Sequence, residues 1–260
     1  MDRLPGTTAI LLILLACSLP ACTRHVVVIE SGQTPAATAV TAPRVLVYTR
    51  TTGWRHDSIP AAVDTLRALA AQAGMQVVHT EDPAMFSDEG LSTFRVVAFA
   101  NTTGDILDDT QQAAFERYVR AGGGWLGLHS AADTGYDWPW YGELAGAWFA
   151  SHPPGLQSSR VVFEGGHGPA LASTWRVTDE LYNYRDNPRP RVSVVATVDE
   201  GDYAGGTMGA DHPIAWCHER LGGRAWYTGL GHDSALYADP TFRAHLLRGL
   251  RYASGQAPGC

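Results

Sequence analysis

The sequence predicts a single α/β domain whose central sheet is mainly parallel and covered by helices on both faces. Short apolar runs that suit buried strands alternate with amphipathic stretches of helical period between residues 44 and 128. The chain has 260 residues, of which 45% are hydrophobic and 17% charged, so it can bury a full core. No internal repeat and no break in composition marks a second domain.

The first half of the predicted domain consists of four strands joined by crossover connections. Pro60 suits the first turn of a helix, and Gly74 suits its end. The strands are predicted at 45–48, 75–79, 95–100 and 125–128, and the helices at 60–74 and 108–120. Strands connected in this way form a parallel sheet, and such sheets bind ligands at the carboxyl ends of their strands.

The second half is predicted to be less regular. A Trp-rich segment at 138–148 is expected to be partly helical, a strand is expected near 160–163, and a long loop region is expected from there to Pro190. Strands return at 192–198, 213–217 and 224–228, and a final helix at 240–253 has apolar residues at core spacing. The predicted domain therefore covers residues 44–255.

The N-terminus predicts export. The apolar run at 9–16 is too short to span a bilayer but suits the hydrophobic region of a signal peptide. Cys17 and Cys22 each follow a small residue in a lipobox-like context, so either is a candidate for lipidation, with ordinary secretory cleavage near Ala21 as the alternative. We expect a signal peptide at 1–22, a flexible tether at 23–43, and a periplasmic protein or a membrane-anchored lipoprotein.

Charge and cysteine content restrict the partners. Lys and Arg total 19 against 26 Asp and Glu, and the net charge of −7 gives no electrostatic reason to bind nucleic acid or anionic lipid. We expect a small sugar-like ligand and membrane contact only through a lipid anchor, while homo-oligomer formation stays open. Cys217 and Cys260 remain in the mature chain, and the Gly- and Pro-containing tail around Cys260 favours the absence of a disulfide.

The segment 122–133 (GGGWLGLHSAAD) indicates a nucleophile-elbow layout, in which a buried strand runs through a sharp bend into a helix. The residue at the bend is His129. Imidazole can act as a general base, a general acid or a metal ligand, but it poorly replaces the thiol that acyl transfer from glutamine requires. The alternative is a histidine at the strand end that only caps the next helix.

Several other histidines follow predicted strands, and loops after parallel strands converge. These histidines are His56, His152, His212 and His232, with Asp57, Asp133, Asp211 and Asp233 near them. Together they predict a polar pocket able to move protons. No pair has the His-x-x-x-His spacing of a helical zinc site, so no metal ligand is assigned, although a divalent metal stays an open alternative.

Aromatic residues add candidates for sugar binding. Trp138 and its neighbours could stack on a sugar ring, although core packing is the alternative for them. Asp179, Glu180 and Tyr182 lie in the predicted loop region and could project into the pocket, which their spacing alone does not show.

Taken together, the motifs resemble those of the ThuA-like (trehalose utilisation) family, in the same order along the chain. They are TTGWRHDSIP at 51–60, NTTGD at 101–105, RAGGGWLGLHSAAD at 120–133, YDWPWY at 136–141, SHPP at 151–154, TDELYN at 178–183, GTMGADHPIAWCH at 206–218 and RAWYTGLGH at 224–232. The resemblance implies a flavodoxin-like three-layer sandwich of the class I glutamine amidotransferase type, with His129 in place of the nucleophilic cysteine. Ser130 stands where the family often has Ala.

The resemblance also implies a role in the metabolism of trehalose, other disaccharides or 3-keto sugars. The predicted catalytic residues are His129, His56 and Asp133, and the predicted substrate-binding residues are His152, Trp138, Tyr182, His212 and His232. The leading hypothesis is acid/base catalysis on a sugar, with His129 as the central group. A non-catalytic sugar-binding module and a metal-dependent hydrolase are the alternatives.

Overall fold

The computed structural model describes residues 42–165 and 173–260, and its centre is a nine-stranded sheet. The predicted signal peptide at 1–22 and the predicted tether up to residue 41 lie outside the described residues. The sheet has the strand order β2-β1-β3-β4-β11-β10-β9-β6-β7. Its strands are β1 (Arg44–Tyr48), β2 (Gln76–Thr80), β3 (Val96–Ala100), β4 (Gly124–Leu128), β6 (Gln157–Phe163), β7 (Thr174–Asp179), β9 (Ser193–Val198), β10 (Pro213–His218) and β11 (Ala225–Thr228). A separate two-stranded sheet pairs β5 (Phe149–Ser151) with β8 (Asn183–Tyr184).

The described part of the chain contains five α-helices beside the sheet. They are α1 (Ile59–Gln72), α2 (Asp88–Ser92), α3 (Asp109–Arg120), α4 (Pro139–Ala145) and α5 (Pro240–Ala253). Local sequence sets several of their ends: Asp108 forms a capping box with Gln111 at the start of α3, and the Asp239 carboxylate accepts two backbone N–H groups at the start of α5. Within the described residues, no helix combines the length and apolar character needed to cross a membrane.

Helices cover both faces of the central strands because side chains alternate along each strand. On one face, Phe99 of β3 stacks on Phe115 of α3, and Trp125 of β4 meets Tyr141 of α4 edge-on. On the opposite face, the Trp226 ring of β11 packs on α5. Position 127 of β4 accommodates only glycine without a shift of its neighbours, because a Cβ there would lie 2.4 Å from the Trp125 ring. The described residues therefore form the predicted three-layer sandwich, with helices on both faces of a sheet whose central strands are mainly parallel.

The parallel half of the sheet agrees with the prediction, and the other half contains more strands than were predicted. Strands β2, β1, β3, β4 and β11 are parallel, whereas β10, β9, β6 and β7 add antiparallel pairs at one side. The predicted loop region before Pro190 was too long, because it contains β7 and β8. Strand β7 buries Val177 and Asp179 but exposes Thr174, Arg176 and Thr178, so it lacks the continuous apolar run of a central strand.

Cys217 and Cys260 form a disulfide, which corrects the prediction that they stay unpaired. Their Cα atoms lie 6.3 Å apart, within the range that a disulfide spans. The tail is held in place because the Arg248 guanidinium donates hydrogen bonds to the Cys260 carbonyl oxygen. The Gly- and Pro-containing sequence before Cys260 does not reveal this anchor.

His245 is a histidine whose side chain is buried away from solvent. Its ring packs against Trp226 with 4.6 Å between ring centroids, and its Nε2 lies 3.2 Å from the Thr228 hydroxyl, while Nδ1 has no hydrogen-bond partner. Burial lowers the pKa of His245 from 6.5 to about 3, with a smaller contribution from Arg248. The folded protein therefore keeps this ring neutral.

We predict that His245 makes the fold sensitive to acid. Between pH 6.5 and 3 the unfolded chain binds a proton at His245 that the folded chain does not, so the free energy of unfolding falls as the pH falls. His245→Gln should reduce the loss of stability between pH 7 and pH 5 by about 2 kcal/mol, as measured by urea unfolding at both pH values. An unchanged pH dependence in the variant would contradict this assignment.

Candidate functional site

A sharp bend at the end of β4 carries His129. Its φ is 47°, in the left-handed region that residues other than glycine seldom adopt. The Tyr227 hydroxyl donates a 2.8 Å hydrogen bond to the His129 carbonyl oxygen and holds the bend. The backbone of the predicted elbow is confirmed, although the chain continues into a 3-10 helix at His129–Asp133 rather than an α-helix. The His129 ring is fully buried.

The His129 ring has a defined tautomer. Nδ1 lies 2.9 Å from the carbonyl oxygen of Gly229, which can only accept a hydrogen bond. Nδ1 therefore carries the proton, and Nε2 of the neutral ring has a free lone pair. This Nε2 lies 3.2 Å from Nδ1 of His232 and 3.4 Å from Oε2 of Glu180.

The Glu180 carboxylate contacts three imidazoles, those of His129, His152 and His232. Its Oε2 lies 3.1 Å from Nδ1 of His232, and its Oε1 lies 3.1 Å from Nδ1 of His152. The His56 ring meets the His129 and His232 rings edge-on, with centroid distances of 4.8 and 5.1 Å. We call His56, His129, Glu180 and His232 the His/Glu cluster. One potential metal-ligand atom from each lies within 4.8 Å of the other three.

The cluster members influence one another's protonation. Burial, with smaller contributions from the neighbouring His129 and His232, lowers the pKa of His56 to about 3, so His56 is neutral near neutral pH. Burial acts to raise the pKa of Glu180, but the adjacent imidazoles of His129 and His232 outweigh it and hold that pKa well below its usual value. The hydrogen bond to Glu180 raises the pKa of His232.

Asp179 fixes the loop that carries His232. Its fully buried carboxylate accepts hydrogen bonds from the backbone N–H groups of Gly231 at 2.6 Å and Asp233 at 2.8 Å, with the N–H of His232 at 3.4 Å. Burial raises the pKa of Asp179, an effect that His129 and these N–H groups oppose. The chain leaving β7 is thus tied to the chain leaving β11, which brings Glu180 beside His232.

A cavity of about 540 Å³ opens onto the cluster. It is lined by Trp54, His56, Asp133, Phe149, His152, Glu180, Tyr182 and His232. The Trp54 side chain is 71% exposed at this cavity, an unusual position for a large apolar ring. Three further cavities, of about 370, 400 and 420 Å³, are lined by no histidine.

Asp133 adds a second carboxyl group to the cavity. Burial raises its pKa, although the Tyr136 hydroxyl donates a 2.6 Å hydrogen bond to Oδ1 and partly offsets this effect. A carboxyl group with a raised pKa is suited to exchanging a proton with a bound ligand. The cavity therefore combines a carboxyl group of raised pKa with a cluster of imidazoles and a second carboxylate.

The geometry of the elbow and its neighbouring loops agrees with the comparison to protein families. The family model described as ThuA, trehalose utilisation, matches residues 44–253. This chain belongs to the ThuA family. It has no significant match among curated proteins.

Solved structures support the same fold for this ThuA protein. A ThuA-like protein from Bacteroides uniformis is 24% identical with a TM-score of 0.70, and the match covers 85% of this chain and 95% of that one. A ThuA-like protein from Parabacteroides merdae is 18% identical with a TM-score of 0.68, covering 83% and 91%. A β-galactosidase from Bacillus circulans sp. alkalophilus is 14% identical with a TM-score of 0.51, over 84% of this chain and 32% of that one.

Most of the predicted site residues of the ThuA domain do come together. His56, Asp133, His152, Tyr182 and His232 line the cavity. His129 lies behind them, which alters its predicted role: its buried ring contacts His232 and Glu180 rather than the open cavity.

Trp138 and His212 lie away from the cavity, which corrects the prediction that they contact the substrate. Trp138 is buried in the core, where its indole N–H donates to Glu116 at 3.0 Å and its ring stacks on Tyr141. His212 is fully buried, and its Nε2 donates a 2.8 Å hydrogen bond to the carbonyl oxygen of Tyr182. It therefore supports the backbone of a cavity residue.

Three important residues were not assigned to the site from sequence. Asp179 ends a strand that was predicted as loop, and Glu180 directly follows it, although Trp175, Val177 and Asp179 alternate with polar residues and carry a strand signal. Trp54 lies within the TTGWRHDSIP motif, two residues before His56. Its proximity to a predicted site histidine was the available signal.

We predict that Asp179→Asn destabilises the fold and loosens the His232 loop. The amide offers one acceptor oxygen where the carboxylate serves several N–H groups, and its NH₂ group would face a donor. Loss of one buried hydrogen bond should lower the free energy of unfolding by about 1–3 kcal/mol in urea. Asp137→Asn, at an exposed position nearby, serves as the control, and equal stability of the two variants would refute the role of Asp179.

Proposed function

We propose that this ThuA-family protein is an enzyme that acts on a sugar by proton transfer within the cavity above the His/Glu cluster. The observation that carries the proposal is one cavity lined both by ionisable side chains and by aromatic rings. The ionisable residues are His56, Asp133, His152, Glu180 and His232, and the aromatic ones are Trp54, Phe149 and Tyr182. Flat aromatic faces suit the apolar face of a sugar ring. The family's description as trehalose utilisation supports this substrate class.

In this proposal Asp133 exchanges a proton with the substrate. A carbonyl group on a sugar ring, as in a keto sugar, acidifies the neighbouring C–H group, and negative charge then develops on the carbonyl oxygen. Burial raises the pKa of Asp133 and so moves it towards the pH range in which the group can both accept and donate a proton. The His/Glu cluster holds the oxygen that becomes negative, because His232 offers a donor whose pKa Glu180 raises.

His129 supports this chemistry from behind. Its Nδ1–H is committed to the Gly229 carbonyl, so its Nε2 orients His232 from the buried side. Because the bend carries an imidazole instead of a thiol, acyl transfer from glutamine is not the proposed reaction.

We predict that Asp133→Asn lowers kcat by about 10²–10⁴-fold on the responsive sugar and changes KM little, since it removes the proton-exchanging group. Trp54→Ala should instead raise KM, because it removes an exposed aromatic platform. The measurement is a mass-detected assay of the mature protein with trehalose and other disaccharides, both native and oxidised to 3-keto forms.

Two comparisons make this test specific. Asp137→Asn is the matched control, because Asp137 is exposed and does not line the cavity. Calorimetric binding of a sugar with no chemical change in that sugar would exclude the enzyme and favour the sugar-binding module. Unchanged kcat in folded Asp133→Asn would exclude its role in proton exchange.

We also propose that the protein is exported and tethered through a lipidated cysteine. The apolar run at 9–16 before Cys17 and Cys22 supports this proposal. The disulfide between Cys217 and Cys260 is compatible with it, since such bonds persist in oxidising compartments outside the cytosol.

Lipidation predicts that a labelled fatty acid is incorporated in bacterial cells and that the label is lost in either Cys17→Ser or Cys22→Ser. The serine variant at the modified position should move from the membrane fraction, because only a cysteine thiol accepts the lipid. The other serine variant serves as its control. Absence of label from the unaltered protein would refute the anchor.

A further inference from the structure

We propose that His56, His129, Glu180 and His232 bind one divalent transition-metal cation, for which Zn²⁺ is the reference ion. Three imidazole nitrogens and one carboxylate oxygen form a ligand set that suits zinc and its neighbours in the first transition row. The role given below to the cation rests on the proposed function, but its binding does not depend on any substrate.

Three distances within the cluster are close to those between the ligand atoms of a tetrahedral metal site. Nε2 of His129, Nδ1 of His232 and Oε2 of Glu180 form a nearly equilateral triangle with edges of 3.1, 3.2 and 3.4 Å. Ligand atoms placed tetrahedrally about 2.0–2.2 Å from Zn²⁺ are about 3.3–3.5 Å apart. These three atoms therefore form one face of such a tetrahedron, and His56 supplies a fourth ligand atom within 4.8 Å of the others.

The hydrogen bonds around the cluster prepare His129 to act as a ligand. Its Nδ1–H is donated to the Gly229 carbonyl oxygen at 2.9 Å, which fixes the ring and leaves the Nε2 lone pair on the cluster side. Metal-bound histidines characteristically donate their other N–H to a carbonyl or carboxylate in this way. The bend at His129 and the bond from Tyr227 to its carbonyl oxygen hold the backbone behind this ring.

The charge balance also favours a cation. Oε2 of Glu180 and Nε2 of His129, whose Nδ1 lies against the Gly229 carbonyl oxygen, are 3.4 Å apart in a mostly buried site. A cation between them would be attracted both to the carboxylate and to the Nε2 lone pair. Its charge is further offset by Asp179, whose buried carboxylate is held directly behind the His232 backbone.

The site would be reached from the cavity. His56, Glu180 and His232 line it, whereas His129 closes the buried side. A bound cation would therefore be accessible to a keto oxygen or to neighbouring hydroxyl groups of a sugar held against Trp54. There it would stabilise negative charge on that oxygen while Asp133 exchanges the proton. The four ligands follow four different strands and are far apart in sequence. For this reason they form no short sequence motif with the spacing typical of a metal site.

The test measures metal binding to the tag-free mature protein after chelator treatment. Calorimetry with Zn²⁺ should give one equivalent per chain, and Co²⁺ should give the visible absorption of a low-coordinate site. Glu180→Gln, which keeps the side-chain shape, and His129→Ala should each weaken Zn²⁺ binding by more than about 100-fold, which exceeds the usual effect of losing an outer hydrogen-bond partner. His79→Ala, which removes an exposed histidine at the end of β2, should leave binding unchanged.

Each result bears on one claim. Absence of stoichiometric binding, or binding that folded Glu180→Gln and His129→Ala retain, overturns the metal site. Circular dichroism and thermal unfolding establish whether each variant is folded. If His129→Ala does not fold, Glu180→Gln alone decides whether the metal site exists. Sugar turnover without metal binding would leave the proposed function standing, whereas metal binding without sugar turnover would leave only the metal site.

Discussion

The left-handed backbone at His129 is the constraint on which the site depends. Because the φ of His129 is 47° directly after β4, the chain turns sharply there instead of continuing along the sheet. The imidazole of His129 is therefore buried behind the cavity. A conformation of this kind costs free energy and persists only when its surroundings enforce it. Here the Tyr227 hydroxyl holds the His129 carbonyl oxygen, and the Gly229 carbonyl oxygen holds the ring. Strand β11, which pairs with β4, thus stabilises both the bend and the direction of its side chain.

Two consecutive acidic residues, Asp179 at the end of β7 and Glu180 directly after it, contact different parts of the site. Asp179 binds the backbone at Gly231 and Asp233, whereas Glu180 contacts the imidazoles of His129, His152 and His232. One carboxylate therefore positions a loop, and the other contacts the imidazoles. The antiparallel extension of the sheet brings both residues beside the loop that follows β11, which is its contribution to the function that we propose.

The bend carries a buried imidazole, and this ring contacts His232 and Glu180 rather than the open cavity. The similarity to solved ThuA-like proteins, at 24% and 18% identity, establishes the shared fold. The function proposed for this chain rests instead on its own cavity, in which Asp133 and the exposed Trp54 accompany the cluster.

The amino-acid sequence by itself determined the parallel half of the fold and the family, because buried strands and helical periods are local patterns. It also predicted that His56, His129 and His232 lie close together, since loops that follow parallel strands converge at one edge of the sheet, and the three rings are neighbours in the structure. Tertiary structure alone decided which aromatic residues line the cavity: Trp138 packs in the core and Trp54 stands exposed at the cavity, a difference set by contacts distant in sequence. It also decided that Glu180 joins the imidazoles, because the half-exposed strand β7 has a weak local pattern and its position depends on long-range hydrogen bonds from Asp179.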